Sequence, residues 1–192
     1  MRTLVTLVVL VPLAAGSAAE AAPLTRKSPV CSGIRVTAPN LAKQPRNLTF
    51  SGREVLDLQF QARLRQDLQG DRLLRFKVYT PGGFLYQEIA VPFVGSAPDA
   101  APRTARARSK AATPAPPPPR WVPGYPRPLP VQRLVPVPGD ASTKTEYGVT
   151  TLLPVAGTSI TLGGLYGTWS VQPYLDQQST PCGPAGRFTI RD

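Results

Sequence analysis

The stretch Leu56-Asp57-Leu58-Gln59-Phe60-Gln61-Ala62-Arg63-Leu64-Arg65 alternates apolar and polar side chains over its whole length. That period of two is typical of a strand that buries one face. A helix is the competing interpretation, because Ser51-Gly52-Arg53-Glu54 matches a capping box and Gly70 would end the helix. On a helix, however, the apolar side chains would scatter around most of the circumference instead of forming one stripe. The pattern therefore favours a strand.

Further strand patterns lie on both sides of this stretch. Turn residues around Gly70 and at Pro81-Gly82-Gly83 separate three strands into a predicted β-meander. The predicted strands besides 56–65 are Leu74–Val78, Phe84–Phe93, a weaker one at Ile34–Thr37, then Val149–Val155, Ile160–Leu162, Leu165–Leu175 and Phe188–Ile190. We place Trp169 in the core between two sheets. Short strands with turns between them predict an all-β, antiparallel β-sandwich.

A proline-rich, basic segment interrupts the strand patterns. Of the chain's 24 prolines, 13 fall between Pro98 and Pro138, together with seven bases and the single acid Asp99. Proline fixes φ and removes a backbone donor, so we expect extended polyproline II conformations in water. We therefore predict that residues 96–140 form a long disordered insertion, with 22–95 and 141–192 as the two parts of the sandwich.

The N-terminal residues indicate export. Met1-Arg2, the apolar run Leu4–Ala15 and Ala19-Glu20-Ala21 match the three parts of a cleavable signal peptide, which we assign to residues 1–21. We therefore expect an extracytoplasmic protein, located in the periplasm, on the cell surface or secreted, with no transmembrane segment in the mature chain. In that compartment Cys31 and Cys182 are expected to form a disulfide. A reactive thiol or metal pair is the alternative, but the chain has no histidine to support either.

Two stretches resemble a known class of domain. Val78-Tyr79-Thr80-Pro81-Gly82-Gly83-Phe84-Leu85-Tyr86-Gln87 is similar to a strand-turn-strand of bacterial exported Ig-like or fibronectin-III-like β-sandwich proteins of unassigned function. Leu165–Val171 followed by Phe188–Ile190 resembles their last two strands. The resemblance implies an Ig-like sandwich and adhesive or scaffolding work, with no catalytic residues to transfer. Cys31 and Cys182 lie outside the usual inter-sheet cysteine positions, so that disulfide geometry is not transferred.

The composition restricts the chemistry. With no histidine, Ser-His-Asp and Cys-His nucleophile pairs and His-bearing metal sites are excluded. Carboxylate pairs remain at Glu54 with Asp57 and at Asp67 with Asp71, where solvated charge is the ordinary outcome. The second pair is also too poor in oxygen ligands for a calcium site. We expect no enzyme activity, no cofactor and no metal.

One stretch, Arg120-Trp121-Val122-Pro123-Gly124-Tyr125-Pro126-Arg127-Pro128, invites a binding interpretation. Extended proline-rich chain that presents aromatics and guanidinium groups suits an aromatic-lined groove on a protein, and its charge suits anionic polymers. A simple tether is the alternative. The candidate partner-binding residues are Arg103, Arg106, Arg108, Lys110, Arg120, Trp121, Tyr125 and Arg127. The expected partner is an unknown protein or an envelope polymer such as lipopolysaccharide, teichoic acid or extracellular DNA, in keeping with a net charge of +11.

Overall fold

Ten strands and one short helix make up the described part of the chain in the computed structural model. The structure describes residues 30–65, 68–95, 115–137 and 145–192. The elements in chain order are β1 (Cys31–Thr37), β2 (Thr49–Ser51), β3 (Asp57–Leu64), β4 (Asp71–Tyr79), β5 (Leu85–Val94), β6 (Gln132–Arg133), β7 (Val135–Val137), β8 (Glu146–Pro154), α1 (Ser159–Leu162), β9 (Gly167–Leu175) and β10 (Gly186–Arg191).

The strands form two sheets that confirm the predicted all-β sandwich. One sheet has the order β1-β3-β8-β7, and the other has the order β2-β10-β9-β4-β5-β6. The long strands pair antiparallel, as expected. Two of the short strands, which the sequence did not predict, add parallel pairs: β2 with β10 and β6 with β5.

The alternation that predicted the central strand becomes the packing of the core. In β3, every second side chain from Leu58 to Leu64 is buried, and the residues between them are half-exposed. Trp169 on β9 is fully buried, as expected, and its ring stacks on Phe188 with 6.3 Å between centroids. The indole N–H donates to the Leu165 carbonyl at 3.0 Å. The core thus accommodates its largest side chain without an unpaired polar atom on that ring.

Cys31 and Cys182 form the expected disulfide, across a sequence separation of 151 residues. Cys31 begins β1 in one sheet, and Cys182 lies in the loop between β9 and β10 of the other. The Cys31 N–H also donates to the Cys182 carbonyl at 2.9 Å. Gly183 follows closely enough that a Cβ there would lie 2.2 Å from the Cys31 carbonyl oxygen, so only glycine allows this approach.

Two expectations about secondary structure are wrong. Residues 160–162 were expected to be a strand but belong to the helix α1, which Thr158 caps by accepting from the Ile160 N–H at 3.2 Å. Residues 96–140 were expected to be entirely disordered, yet 115–137 contribute β6 to one sheet and β7 to the other. Leu134, between these two strands, is only 6% exposed. The remainder of that prediction, 96–114 and 138–140, lies outside the described residues, as does the signal peptide assigned to 1–21.

Within the described residues, no helix is long and apolar enough to cross a membrane. The one helix in that part of the chain, α1, has 4 residues.

The disulfide is expected to contribute strongly to stability because it closes a long loop. Replacing both cysteines, Cys31→Ala with Cys182→Ala, should lower the free energy of unfolding by up to about 5 kcal/mol in the loop-entropy model. Urea unfolding of the oxidised protein and of the double variant measures the difference. Thiol titration of the unfolded, unreduced wild type is the control and should detect almost no free thiol. Two free thiols per chain, or equal stability of the two proteins, would contradict the assignment.

Candidate functional site

The candidate binding stretch folds into a closed hairpin, which we call the proline-rich hairpin (residues 120–129). Arg120 and Leu129 form an antiparallel bridge in which each backbone N–H donates to the other's carbonyl at 2.8 Å. At the tip, the Tyr125 N–H donates to the Val122 carbonyl at 3.2 Å, and Gly124 has a φ of 89°. Pro123 followed by glycine at a left-handed position is typical of a tight turn. The stretch is therefore a defined structure and not an extended tether.

The Tyr125 side chain attaches the hairpin to the body of the sandwich. The Tyr125 hydroxyl accepts from the Ala90 N–H at 2.7 Å and donates to the Glu88 carbonyl at 3.1 Å. Both partners belong to β5, so one phenol satisfies a donor and an acceptor of that strand. Val122, in the same turn, is 7% exposed. The hairpin is consequently held to β5 near its tip.

The proline-rich hairpin holds Trp121 exposed to solvent. Its side chain is 67% exposed, although the preceding residue is fixed by the bridge and the following residue is buried. Trp121 lines two clefts, of about 350 and 310 Å³. The larger cleft is lined by residues 120–123 of the hairpin together with Leu73, Asp176 and Gln177. The smaller cleft is lined by Asp71, Val94, Val131, Arg120 and 117–119. An exposed indole at the border of two clefts offers a flat apolar face with polar groups nearby.

Asp176 forms a fixed wall of the larger cleft. It follows β9 with a φ of 53°, a left-handed conformation that aspartate tolerates better than most residues. Its carboxylate accepts from the Leu73 N–H at 3.1 Å and from Arg72 Nη1 at 2.9 Å. The cleft therefore has a rigid rim, with the charge of Asp176 already balanced by Arg72.

The candidate partner-binding residues have different positions. Arg120, Trp121 and Arg127 are exposed on the hairpin, as a binding role requires. Tyr125 is half-buried and its hydroxyl is engaged with β5, so its place in the structure is that of an anchor. The other four, Arg103, Arg106, Arg108 and Lys110, lie outside the described residues.

Sequence reasoning missed Gln132, which joins the two sheets next to the hairpin. Its amide N–H donates to the Thr150 carbonyl at 2.6 Å, and its amide oxygen accepts from the Thr150 N–H at 3.1 Å. Gln132 lies on β6 and Thr150 on β8, so the side chain pairs with the other sheet as a backbone would. No local pattern around Gln132 signals this contact, because its partner is 18 residues away.

The carboxylates considered for chemistry are placed as follows. Glu54 is exposed in the turn before β3, and Asp57 begins that strand with a half-exposed side chain. Asp71 is exposed at the start of β4, whereas Asp67 lies outside the described residues. Within 30–65, 68–95, 115–137 and 145–192, no three or more His, Cys, Asp or Glu residues group so that they would hold a metal ion.

Removing the Tyr125 hydroxyl should release the hairpin from β5. Tyr125→Phe leaves the Ala90 N–H without its acceptor, so we expect a loss of about 1–2 kcal/mol of unfolding free energy and faster exchange of the Ala90 amide proton. Tyr86→Phe is the matched control, because its hydroxyl contacts Ser159 in an exposed position where water replaces it. NMR-detected amide exchange measures both variants. Unchanged exchange at Ala90 in Tyr125→Phe would show that the hairpin is not anchored there.

No protein-family model matches the sequence, and no curated protein is significantly similar to it.

Proposed function

We propose that the chain is a non-enzymatic, extracytoplasmic binding or scaffolding protein built on an Ig-like domain, with the proline-rich hairpin as its contact surface. The observation that carries the proposal is the 67% exposure of Trp121 on a hairpin that backbone and side-chain hydrogen bonds hold in place. A rigid, exposed aromatic loses little conformational entropy when it binds, and tryptophan is enriched among residues that dominate binding energy.

The strand order supports the Ig-like part of the proposal. The series β1-β3-β8-β7 and β10-β9-β4-β5-β6 follow the same succession as strands A-B-E-D and G-F-C-C′-C″ of a variable-type Ig domain. Three features depart from antibody domains. The strand at the C″ position, β6, pairs parallel with β5. The disulfide joins the first strand to the β9–β10 loop, and the buried tryptophan lies on β9, where antibody domains place it on strand C.

Export and the absence of catalysis rest on chemistry already described. The Cys31–Cys182 disulfide is typical of proteins that fold in an oxidising compartment, in keeping with the apolar N-terminal run of the sequence. A chain without histidine has no general base for nucleophilic hydrolysis of the Ser-His or Cys-His type. A binding role requires no general base.

Binding of anionic envelope polymers is the second candidate function. Arg120 and Arg127 are exposed on the hairpin, and neither forms an ion pair within the part of the chain that the structure describes. Together with a net charge of +11, this would attract lipopolysaccharide, teichoic acid or extracellular DNA. Such binding depends on charge more than on the indole.

The two candidates are separated by variants of the hairpin. Immobilised mature protein should capture a partner from envelope extracts at about 0.15 M salt, where exposed charges are well screened. Trp121→Ala should abolish capture because it removes the aromatic face. Phe84→Ala, which removes a 76% exposed aromatic from the turn between β4 and β5, is the matched control and should retain capture. Equal capture by both variants, or none by the wild type, would contradict a binding role for the hairpin.

The polymer arm uses lipopolysaccharide and DNA as probes in a salt titration. If charge is the basis of binding, Trp121→Ala retains the affinity for these polymers. Replacing bases with Gln should then reduce the slope of log affinity against log salt, either at Arg120 and Arg127 or at Arg103, Arg106, Arg108 and Lys110. That result would favour the second candidate over the first. Polymer binding that vanishes near 0.15 M salt in the wild type would exclude it.

A further inference from the structure

β1 is the one long strand at a sheet edge among the described residues. The four edge strands there are β1 with 7 residues, β2 and β7 with 3 each, and β6 with 2. An edge strand has one neighbour, so alternate N–H and C=O groups point away from the sheet and are able to pair with another chain. The three short strands have few unpaired backbone N–H and C=O groups. The seven residues of β1 have enough of these groups to pair with a strand of similar length.

A groove of about 880 Å³ runs along this strand. Residues 32–37 of β1 form one wall, and Gln44, Pro45, Arg46 and Leu48 of the β1–β2 loop form the other. A Cβ built at Gly33 would meet no atom within 4 Å, so the face of β1 is open at that residue.

The groove carries positive charge. Arg35 and Arg46 are exposed in its walls, and neither has an ion-pair partner within the described residues. The one acid in the lining, Glu146, lies 2.9 Å from Arg63 Nε, with side chains 17% and 15% exposed. That acid is already balanced, so the two exposed guanidinium groups determine the charge that an occupant meets.

A second copy of the chain does not suit this groove. Two copies pairing antiparallel through β1 would bring the guanidinium groups of Arg35 and Arg46 into one shared groove, and like charges across a strand pair are destabilising. An extended segment with carboxylates has the opposite charge. Ile34 and Leu48 also line the groove, but both pack against the core, so an occupant meets chiefly the backbone of β1 and the two arginines.

We propose that β1 accepts an extended acidic segment of a partner protein as an additional strand, with Arg35 and Arg46 pairing with its carboxylates. Backbone hydrogen bonds to the edge supply affinity, and the arginines select the charge of the segment. This site lies apart from the proline-rich hairpin and does not depend on the function proposed for it.

The test uses the mature chain and a blocked peptide, Glu-Val-Glu-Thr-Glu-Val-Glu, as the probe. We expect the peptide to bind and to slow amide exchange at residues 32–37. A peptide with Lys in place of Glu should bind at least about tenfold more weakly, since it places like charges together. A peptide with Pro at the two Val positions keeps the charge but lacks the N–H donors of those two residues, and it should leave the exchange of β1 unchanged.

Arginine variants check the role of charge. Arg35→Glu should weaken binding of the acidic peptide about fivefold and strengthen binding of the lysine peptide. Arg133→Glu is the matched control, because it makes the same charge change at an exposed position on the edge strand β6, and its effect should stay within about twofold. Equal binding of the acidic and proline peptides, or binding without slower exchange at β1 in the wild type, would overturn the proposal.

Discussion

Burial of the inward-facing side chains of both sheets against one another is the interaction on which the rest of the structure depends. Phe60 of β3 lies between the two sheets, with ring centroids 5.5 Å from Phe188 and 6.4 Å from Phe76. Those rings belong to β10 and β4, so one residue contacts two strands of the opposite sheet. Because side chains alternate along each strand, this packing also fixes which residues face outward. The disulfide then ties the first strand to the last loop.

The same packing explains how far the sequence predicts the fold. The long strands were predictable because burial of one face imposes a period of two, as in residues 57–64. The strand predicted at residues 160–162 was wrong, because three residues do not distinguish a strand from one turn of helix. The N-cap at Thr158 stabilises the helix. β6 and β7 were not predicted, because the proline-rich sequence around them indicated disorder and the apolar run there is short. Pro136 is compatible with β7, which lies at a sheet edge where a missing N–H is tolerated.

The candidate site was predictable in its composition and not in its structure. Trp121 and Arg120 stand out in the sequence as an aromatic and a base among prolines. The hairpin itself depends on contacts distant in sequence, since Tyr125 bonds with Ala90 across 35 residues. The β1 groove likewise follows from the strand order, which leaves that strand at an edge. The proline-rich segment thus has two roles: it completes both sheets, and it positions an exposed tryptophan.

Residues 115–137 are a folded part of the sandwich because they supply a strand to each sheet. Two neighbours in this segment, Leu134 and Val135, are 6% and 58% exposed, so their alanine variants should differ in stability. Leu134→Ala should lower the free energy of unfolding by about 2–5 kcal/mol, as expected for a core leucine. Val135→Ala should change it by less than about 0.5 kcal/mol, as at most surface positions. Urea unfolding measures both variants, and equal, negligible effects would show that the segment lies outside the core.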